Sequence, residues 1–175
     1  MRFALSVSQA IRLFNFVIIL IFGIISYTIM KLCSACLLGV KCRYDGKSRP
    51  HKGVIELSRR KVLIAVCPEQ LGGLSTPRSP SERKGKKVFM KTGKNVTKNF
   101  ENGAKKALKL ARLLGIEEAI FKQRSAACGV GQIYDGTFSG RIIEGNGVAT
   151  ELLRKNGIKV VSEEDIGESA CRRRI

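Results

Sequence analysis

The sequence predicts an α/β fold, namely a three-layer, Rossmann-like domain with a small and mainly parallel sheet. Three observations support this prediction. A β-branched run, KVLIAVC at residues 61–67, has the length and composition of a buried strand. A longer segment, residues 95–115, has apolar side chains at helical spacing and ends at Gly115. Strand-like and helical segments alternate along the chain, and such alternation is typical of a parallel sheet flanked by helices.

The elements follow one another through short connections. Short runs rich in apolar or β-branched residues are the predicted strands, and they lie at residues 31–36, 61–67, 116–123 and 158–165. Amphipathic segments are the predicted helices, at residues 53–60, 95–115 and 147–157. Thr97 is the predicted N-cap of the long helix. Glycine, proline and charged residues indicate loops at residues 37–50, 68–83 and 136–147.

The 175 residues divide into one domain and two flanking segments. Residues 30–167 have the length and apolar content of a single domain with its own core, and residues 168–175 form a polar tail. Residues 1–29 form an apolar extension with two open interpretations. The uncharged stretch between Arg12 and Lys31 just reaches the length of a membrane anchor. Alternatively the start is mis-assigned and translation begins at Met30; we favour this second interpretation, which predicts a cytoplasmic rather than a membrane-anchored protein.

The charge balance favours anionic partners. The chain has 32 Lys and Arg against 14 Asp and Glu, a formal net charge of +18. Such an excess attracts nucleic acid or other anions without sequence preference, although it is also typical of a solvated basic surface. Tryptophan is absent and aromatic residues make up 6% of the chain, which argues against a base-stacking platform. The densest basic run, residues 83–94, predicts an exposed hairpin that could lie over a site.

Three cysteines are predicted to meet at one edge of the sheet. Cys36 and Cys67 close the first two strands, and Cys128 follows the third strand by a few residues. Ligands of open α/β sheets bind outside the carboxyl ends of the strands. Three thiolates there could hold a [4Fe–4S] cluster with one free iron, or a zinc ion with one open position. Cys33 lies inside its strand and is interpreted as a buried apolar residue, whereas Cys42 is either a spare ligand or a redox partner.

Four segments resemble a bacterial family, first described as a domain of unknown function, that includes the iron–sulfur thiouracil desulfidases. The segments read SACLLGVKCRYDG, VCPEQLGGLSTPR, RSAACGVGQIYDGTFSGRIIEGNGV and LLRKNGIKVVSEED. They extend from about Met30 to Asp165, which is essentially the whole predicted domain. The first two motifs together are specific, because SACLLG and CPEQLGGL followed by TPR are hard to obtain by chance.

The resemblance implies a cofactor and a reaction. It implies that Cys36, Cys67 and Cys128 bind a [4Fe–4S] cluster, and that the sulfur of the substrate binds the iron without a cysteine ligand. It further implies that Glu69 and Ser125 are catalytic. The implied activity is a non-redox hydrolysis of a carbon–sulfur bond in a thiolated pyrimidine, such as 2-thiouracil, or in a related thioamide.

Two features near the implied site bear on the substrate. The family usually reads Ser-Pro-Ser-Cys, whereas this chain has Ala126 and Ala127 before Cys128. Loss of the proline removes a fixed φ, so we expect a softer ligand loop and a different substrate. Tentative substrate-binding residues in the matched loops are Arg43, Asp45 and Arg78, and structural ion pairs are an equal alternative for each of them.

A different class of function also stays open. The chain could be a basic protein that associates with nucleic acid or tRNA and carries a structural metal or no metal. An iron–sulfur protein that moves sulfur to or from tRNA is a related alternative. A homodimer is compatible with the sequence, which does not specify the oligomeric state. Iron and labile sulfide in anaerobically purified protein distinguish the enzyme from a metal-free binding protein.

Overall fold

The computed structural model describes residues 30–167, so the predictions for residues 1–29 and 168–175 lie outside the described part. Within this part the strands, in chain order, are β1 (Lys31–Ser34), β2 (Leu63–Val66), β3 (Ser81–Lys84), β4 (Lys87–Met90), β5 (Glu118–Phe121), β6 (Gln132–Tyr134), β7 (Ile142–Glu144) and β8 (Lys159–Ser162). The helices are α1 (Lys52–Ser58), α2 (Pro68–Leu71), α3 (Thr97–Leu113) and α4 (Val148–Lys155). Short 3₁₀ turns cover Ala35–Leu38 and Glu163–Asp165.

The main sheet is parallel throughout, which confirms the predicted fold class. Its strand order is β2-β1-β5-β8. The chain passes from β1 to β2 on one side and then returns to β5 on the other side of β1. The connections that leave the carboxyl ends of β1 and β5 therefore diverge, and this arrangement opens a crevice at that edge of the sheet.

Successive side chains of each strand enter two different cores. Leu32, Ala119 and Val160 pack on the side of α3 and α4. Cys33 and Ile120 belong to a second core on the opposite face, to which α1 contributes a buried valine. Because strand side chains alternate between faces, each short strand serves both cores. The resulting order of helix, sheet and helix gives the predicted three layers.

Two antiparallel hairpins accompany the main sheet. The strands β3 and β4 form the hairpin predicted from the basic run, and β6 pairs with β7. The predicted loop at residues 68–83 was wrong at both ends, because α2 occupies its start and β3 its end. Pro68 suits the first helical position, where a missing N–H costs no hydrogen bond.

Some predicted ends are also wrong by one or two residues. The strand β1 ends at Ser34, so Cys36 lies in the following 3₁₀ turn rather than closing the strand. Thr97 is the first residue of α3, and Val96 is the N-cap. The Thr97 hydroxyl donates to Asn95 and accepts from the Val88 amide, so it links the helix to the hairpin instead of capping it. Gly115 has the left-handed φ of +61° expected after a helix end.

None of the helices within residues 30–167 has the length and apolar character needed to cross a membrane.

Glycines allow α2 to pack directly on α3. A Cβ atom at Gly103 would lie 1.8 Å from the Pro68 carbonyl oxygen, and one at Gly72 would lie 2.1 Å from the Asn99 carbonyl oxygen. The Asn99 amide also donates to the Gly72 carbonyl at 2.9 Å. Since α2 begins immediately after Cys67, this backbone contact fixes the position of the residues that follow β2.

We expect Gly103→Ala to destabilise the protein although alanine favours helix formation. The added methyl group must push the Pro68 carbonyl away, and overpacking of this kind costs ~1–3 kcal/mol. For a domain of this size the midpoint of thermal unfolding should fall by roughly 3–10 °C. The control is Asn102→Ala, an exposed neighbour on α3. Equal melting temperatures for the two variants would contradict the proposed contact.

Cys33 should make the metal-free protein less stable in alkali. Burial and, to a smaller extent, the Glu163 carboxylate raise its pKa from the ordinary value of 9.0 to about 12. The folded state thus favours the neutral thiol, so this contribution to stability is full below about pH 9 and is lost as the pH rises toward about 12. We expect the urea midpoint to fall between about pH 8 and about pH 10, and to fall less steeply in Cys33→Ala. Identical slopes would contradict this expectation.

Candidate functional site

A cavity of about 390 Å³ lies at the carboxyl ends of β1, β2 and β5. Its walls come from the connections after these three strands and from both hairpins. The lining includes all the cysteines and acid–base residues that the sequence places in a site, namely Cys36, Cys67, Glu69, Ser125 and Cys128. Cys42, Arg43 and Arg78 also line it. The crevice expected from the strand order is therefore occupied by chemically reactive side chains.

The three predicted cysteines lie around this cavity together with a fourth thiol. Cys36, Cys42 and Cys128 are buried, and Cys67 is half-buried. The Cys42 thiol is hydrogen-bonded to the side chains of both Cys36 and Cys67. The Cys67 thiol donates to the Cys42 carbonyl oxygen at 3.7 Å, and it lies close enough to Cys128 to affect its pKa. Cys33 does not line the cavity, although it belongs to the same buried cluster as Cys36 and Cys42.

Burial and thiol–thiol contacts raise the pKa values of Cys42, Cys67 and Cys128 and so favour their neutral forms. Contact with Cys42, followed by burial, raises the pKa of Cys67 well above its ordinary range. Burial does the same to the pKa of Cys128. The hydrogen bond with Cys36 is the largest cause that raises the pKa of Cys42 to about 11. Thiols bind metals as thiolates, so a cation bound here must displace protons.

The distances between the candidate ligand side chains indicate whether a single metal ion or a multi-iron cluster could bind. Among residues 30–167, no group of three or more His, Cys, Asp or Glu side chains is close enough together to hold one metal ion. A preformed mononuclear zinc site is thus not present in this part of the chain. A multi-iron cluster binds each thiolate through a different iron and so needs donors that are spread further apart. The thiol-rich donor set around a cavity of this size fits such a cluster.

Ser125 organises the loop that carries Cys128. Its hydroxyl oxygen accepts hydrogen bonds from the amides of Ala127 at 3.2 Å and Cys128 at 3.1 Å. Its carbonyl oxygen accepts from the Gly129 amide at 2.8 Å. The side chain therefore holds a tight turn with the cysteine at its end, which explains why a serine stands three residues before a candidate ligand.

The first turn of α4 holds the same loop from the other side. The amides of Val148 and Ala149 donate to the carbonyls of Ala126 and Ala127, each at 2.9 Å. The Thr150 hydroxyl donates to the Cys128 carbonyl at 2.7 Å. A Cβ atom at the preceding Gly147 would lie 2.4 Å from the Ala127 carbonyl oxygen, so the approach needs glycine. These contacts give no support to the expected softness of the loop, because they order its backbone without a proline.

Arg78 ties Glu69 to the segment that carries Cys42. Its Nε donates to the Glu69 carboxylate at 2.8 Å, and the arginine side chain is only 3% exposed. Its two terminal nitrogens donate to the Cys42 carbonyl, each at 3.2 Å, and one of them also bonds Ser75 and Thr76. Every guanidinium nitrogen is thus used within the protein, which makes Arg78 a brace between the loops after β1 and β2.

Arg43 and Asp45 form a second ion pair at the rim. The guanidinium donates to both carboxylate oxygens, at 3.1 and 2.9 Å. Arg43 lowers the pKa of Asp45, which also accepts a hydrogen bond from the Lys47 amide. The Arg43 guanidinium lies 5.6 Å from the centre of the Tyr44 ring. Arg43 and Tyr44 line the cavity, so this pair lies within reach of a bound molecule.

The structure adds one residue that the sequence analysis did not single out. Lys122, directly after β5, lines the cavity, and burial lowers its pKa. Its place at a strand end next to the Cys128 loop is a signal that could have indicated it. Glu82 of β3 is buried and accepts hydrogen bonds from the amides of Gly136 and Phe138, at 3.1 and 2.8 Å. Through this carboxylate the basic hairpin is joined to the loop after β6, and Ser81, Glu82 and Lys91 at the base of the hairpin line the cavity.

Comparisons with known proteins agree with this geometry. The uncharacterized protein YbbK of Bacillus subtilis is 38% identical over 149 residues, covering 79% of this chain and 99% of that protein. Among solved structures, the [4Fe-4S]-dependent thiouracil desulfidase TudS superposes with a TM-score of 0.74 at 43% identity, over 78% of this chain and 91% of TudS. The same fold is therefore confirmed in a related protein. The family model described as 2-thiouracil desulfurase matches residues 32–165, and the chain therefore belongs to the 2-thiouracil desulfurase family.

Proposed function

We propose that this protein is a [4Fe–4S]-dependent desulfidase that removes sulfur from a thiolated pyrimidine, such as 2-thiouracil, or from a related thioamide. The reaction exchanges the thiocarbonyl sulfur for the oxygen of water and releases hydrogen sulfide, so no electrons are gained or lost overall. The observation that carries the proposal is the meeting of three thiols from separate strand ends at one cavity that also contains Glu69. Membership of the 2-thiouracil desulfurase family and the likeness to TudS support it.

Cys36, Cys67 and Cys128 are the residues that would hold the cluster. When bound, the cluster would supply an iron without a cysteine ligand as a Lewis acid for the thiocarbonyl sulfur. Cys42 is a fourth thiol in contact with two of the three ligands. In this proposal it supports Cys36 and Cys67 by hydrogen bonding and is not required for retention of the cluster.

Glu69 is proposed as the residue that moves the proton. The ion pair with Arg78 occupies Oε2 and fixes the direction of the carboxylate. Oε1 is then available to take a proton from the attacking water and to return it to a ring nitrogen or to the leaving sulfur. Positioning by a buried arginine is important here, because general acid–base catalysis requires hydrogen-bond distance to the reacting group.

Ser125 is proposed to orient the water or the leaving sulfur. Both hydrogen bonds that its Oγ accepts come from backbone amides, so the hydroxyl hydrogen remains to be donated. A donor held in this way acts on a developing negative charge without further reorganisation.

The remaining predicted residues receive different roles. Arg43 lines the cavity and is proposed to bind the substrate, with Asp45 holding its guanidinium in place. Arg78 is proposed as a positioning residue for Glu69 and for the Cys42 segment, because its nitrogens are bonded to the protein. The substrate is a small thiolated base in this proposal, and the protein is proposed to act in the cytoplasm.

Anaerobic purification tests the proposed function directly. We expect a brown protein with about four irons per chain and release of sulfide from 2-thiouracil. A colourless protein that binds RNA in a salt-dependent manner would instead support the nucleic-acid-binding alternative.

We expect Cys67→Ala to lose most of the bound iron, because one of three cluster ligands is removed. Cys33→Ala is the matched control, since Cys33 does not line the cavity, and it should retain the iron of the wild type. Cys42→Ala should also retain it if three ligands suffice. Iron and labile sulfide per chain are the measurements, and full iron content in Cys67→Ala would refute the proposed ligand set.

Glu69→Gln should separate chemistry from cluster binding. The amide keeps a hydrogen bond to Arg78 but cannot move the proton, so we expect normal iron content with a turnover number lowered by ~10²–10⁴-fold. Gln70→Ala on the same short helix is an exposed control, for which sulfide release should change by less than about twofold. A Glu69→Gln protein with the turnover of the control would remove Glu69 from the mechanism.

A further inference from the structure

Lys122 is a cation in an unusual position. It follows β5 directly at the point where the chain connections diverge, and it is half-buried in the wall of the cavity. Its ammonium group donates to the Gln123 carbonyl oxygen at 2.8 Å. Lys122 is not among the lysines and arginines that form ion pairs with carboxylates within residues 30–167.

Two anionic groups attract Lys122, and Glu163 has the larger effect, while Arg49 and Arg43 oppose its charge. Glu163 exerts an attraction on it, but this carboxylate is already bonded to the Gln123 amide at 2.7 Å and to the Ser162 hydroxyl at 3.1 Å. Cys36 contributes a smaller attraction, and Lys122 in turn lowers the pKa of Cys128 against the larger effect of burial. The charge of this one lysine therefore acts on two of the three proposed cluster ligands.

A partly buried ammonium group without a close carboxylate is costly unless another anion offsets its charge. The proposed cluster would supply that anion, because a core of charge about +2 with three thiolates has a net charge of about −1. Nearby charge is one of the means by which a protein sets the reduction potential of an iron–sulfur cluster.

We propose that Lys122 is a positioning residue that stabilises the cluster electrostatically, raising its reduction potential and slowing its loss in air. This inference rests on the proposed function, since it requires the cluster. Reduction adds an electron and makes the cluster more negative, so a neighbouring cation favours the reduced form. Oxidation by dioxygen transfers one electron from the cluster to give superoxide, and the same cation opposes that step. A redox-neutral enzyme benefits because its cofactor is protected from oxidation.

Three variants test the inference. Lys122→Met removes the charge and keeps the length of the side chain, Lys122→Arg keeps the charge, and Lys91→Met removes a charge from an exposed residue of the same cavity. Each protein is reconstituted with iron and sulfide under nitrogen. The midpoint potential is measured by redox titration with electron paramagnetic resonance, and cluster loss is followed as the decay of visible absorbance in air.

We expect Lys122→Met to have a lower midpoint potential than the wild type and to bleach several-fold faster in air. Lys122→Arg should restore both values toward the wild type, and Lys91→Met should change neither. A purely structural role would lower the melting temperature without this dependence on charge. Lys122→Gln provides the uncharged variant if the methionine variant does not fold.

Equal potentials and bleaching rates in the Lys122→Met, Lys122→Gln and Lys91→Met proteins would overturn this inference while leaving the desulfidase proposal intact. A wild-type protein that forms no cluster would overturn the proposed function and, with it, the role of Lys122. The two failures are therefore distinguished by the spectrum of the wild type alone.

Discussion

The pairing of β1 with two parallel neighbours is the constraint on which the site depends. Ser34, at the end of β1, is in register with Val66 at the end of β2, and Cys33 is in register with Ile120 of β5. The three strands thus end at nearly the same level. The residues that follow them must leave the sheet side by side, and this is why side chains far apart in the sequence line one cavity.

Strand pairing sets the approximate position, and local contacts then fix each loop. The loop after β2 is held by the close packing of α2 on α3 at Gly103. The Cys128 loop is held between Ser125 and the first turn of α4. Arg78 joins the segment of Cys42 to Glu69. Rigid support of this kind is what a catalytic site requires, because small displacements of reactive groups lower the rate strongly.

The sequence predicted most of the elements, and the placement of Cys36, Cys67 and Cys128 at one cavity, from local patterns, whereas Glu69 and Ser125 were implied by the resemblance to the family. The β-branched run before Cys67 and the apolar run before Cys128 indicated strand ends, and strand ends of a parallel sheet meet at one edge. The helix α2 was missed because Pro68 and the following glycines are typical of loops. The surroundings of Lys122 and the contacts of Cys42 depend on how separate loops pack together, and no spacing in a single sequence encodes that packing.

The candidate ligands are separated by 31 and 61 residues along the chain, and each is positioned by different tertiary contacts. A Cys-x-x-Cys knuckle can form within a short peptide, but this donor set exists only after the sheet has closed and α4 has docked. We therefore expect iron and sulfide to be inserted into the proposed holoprotein only after the polypeptide has folded.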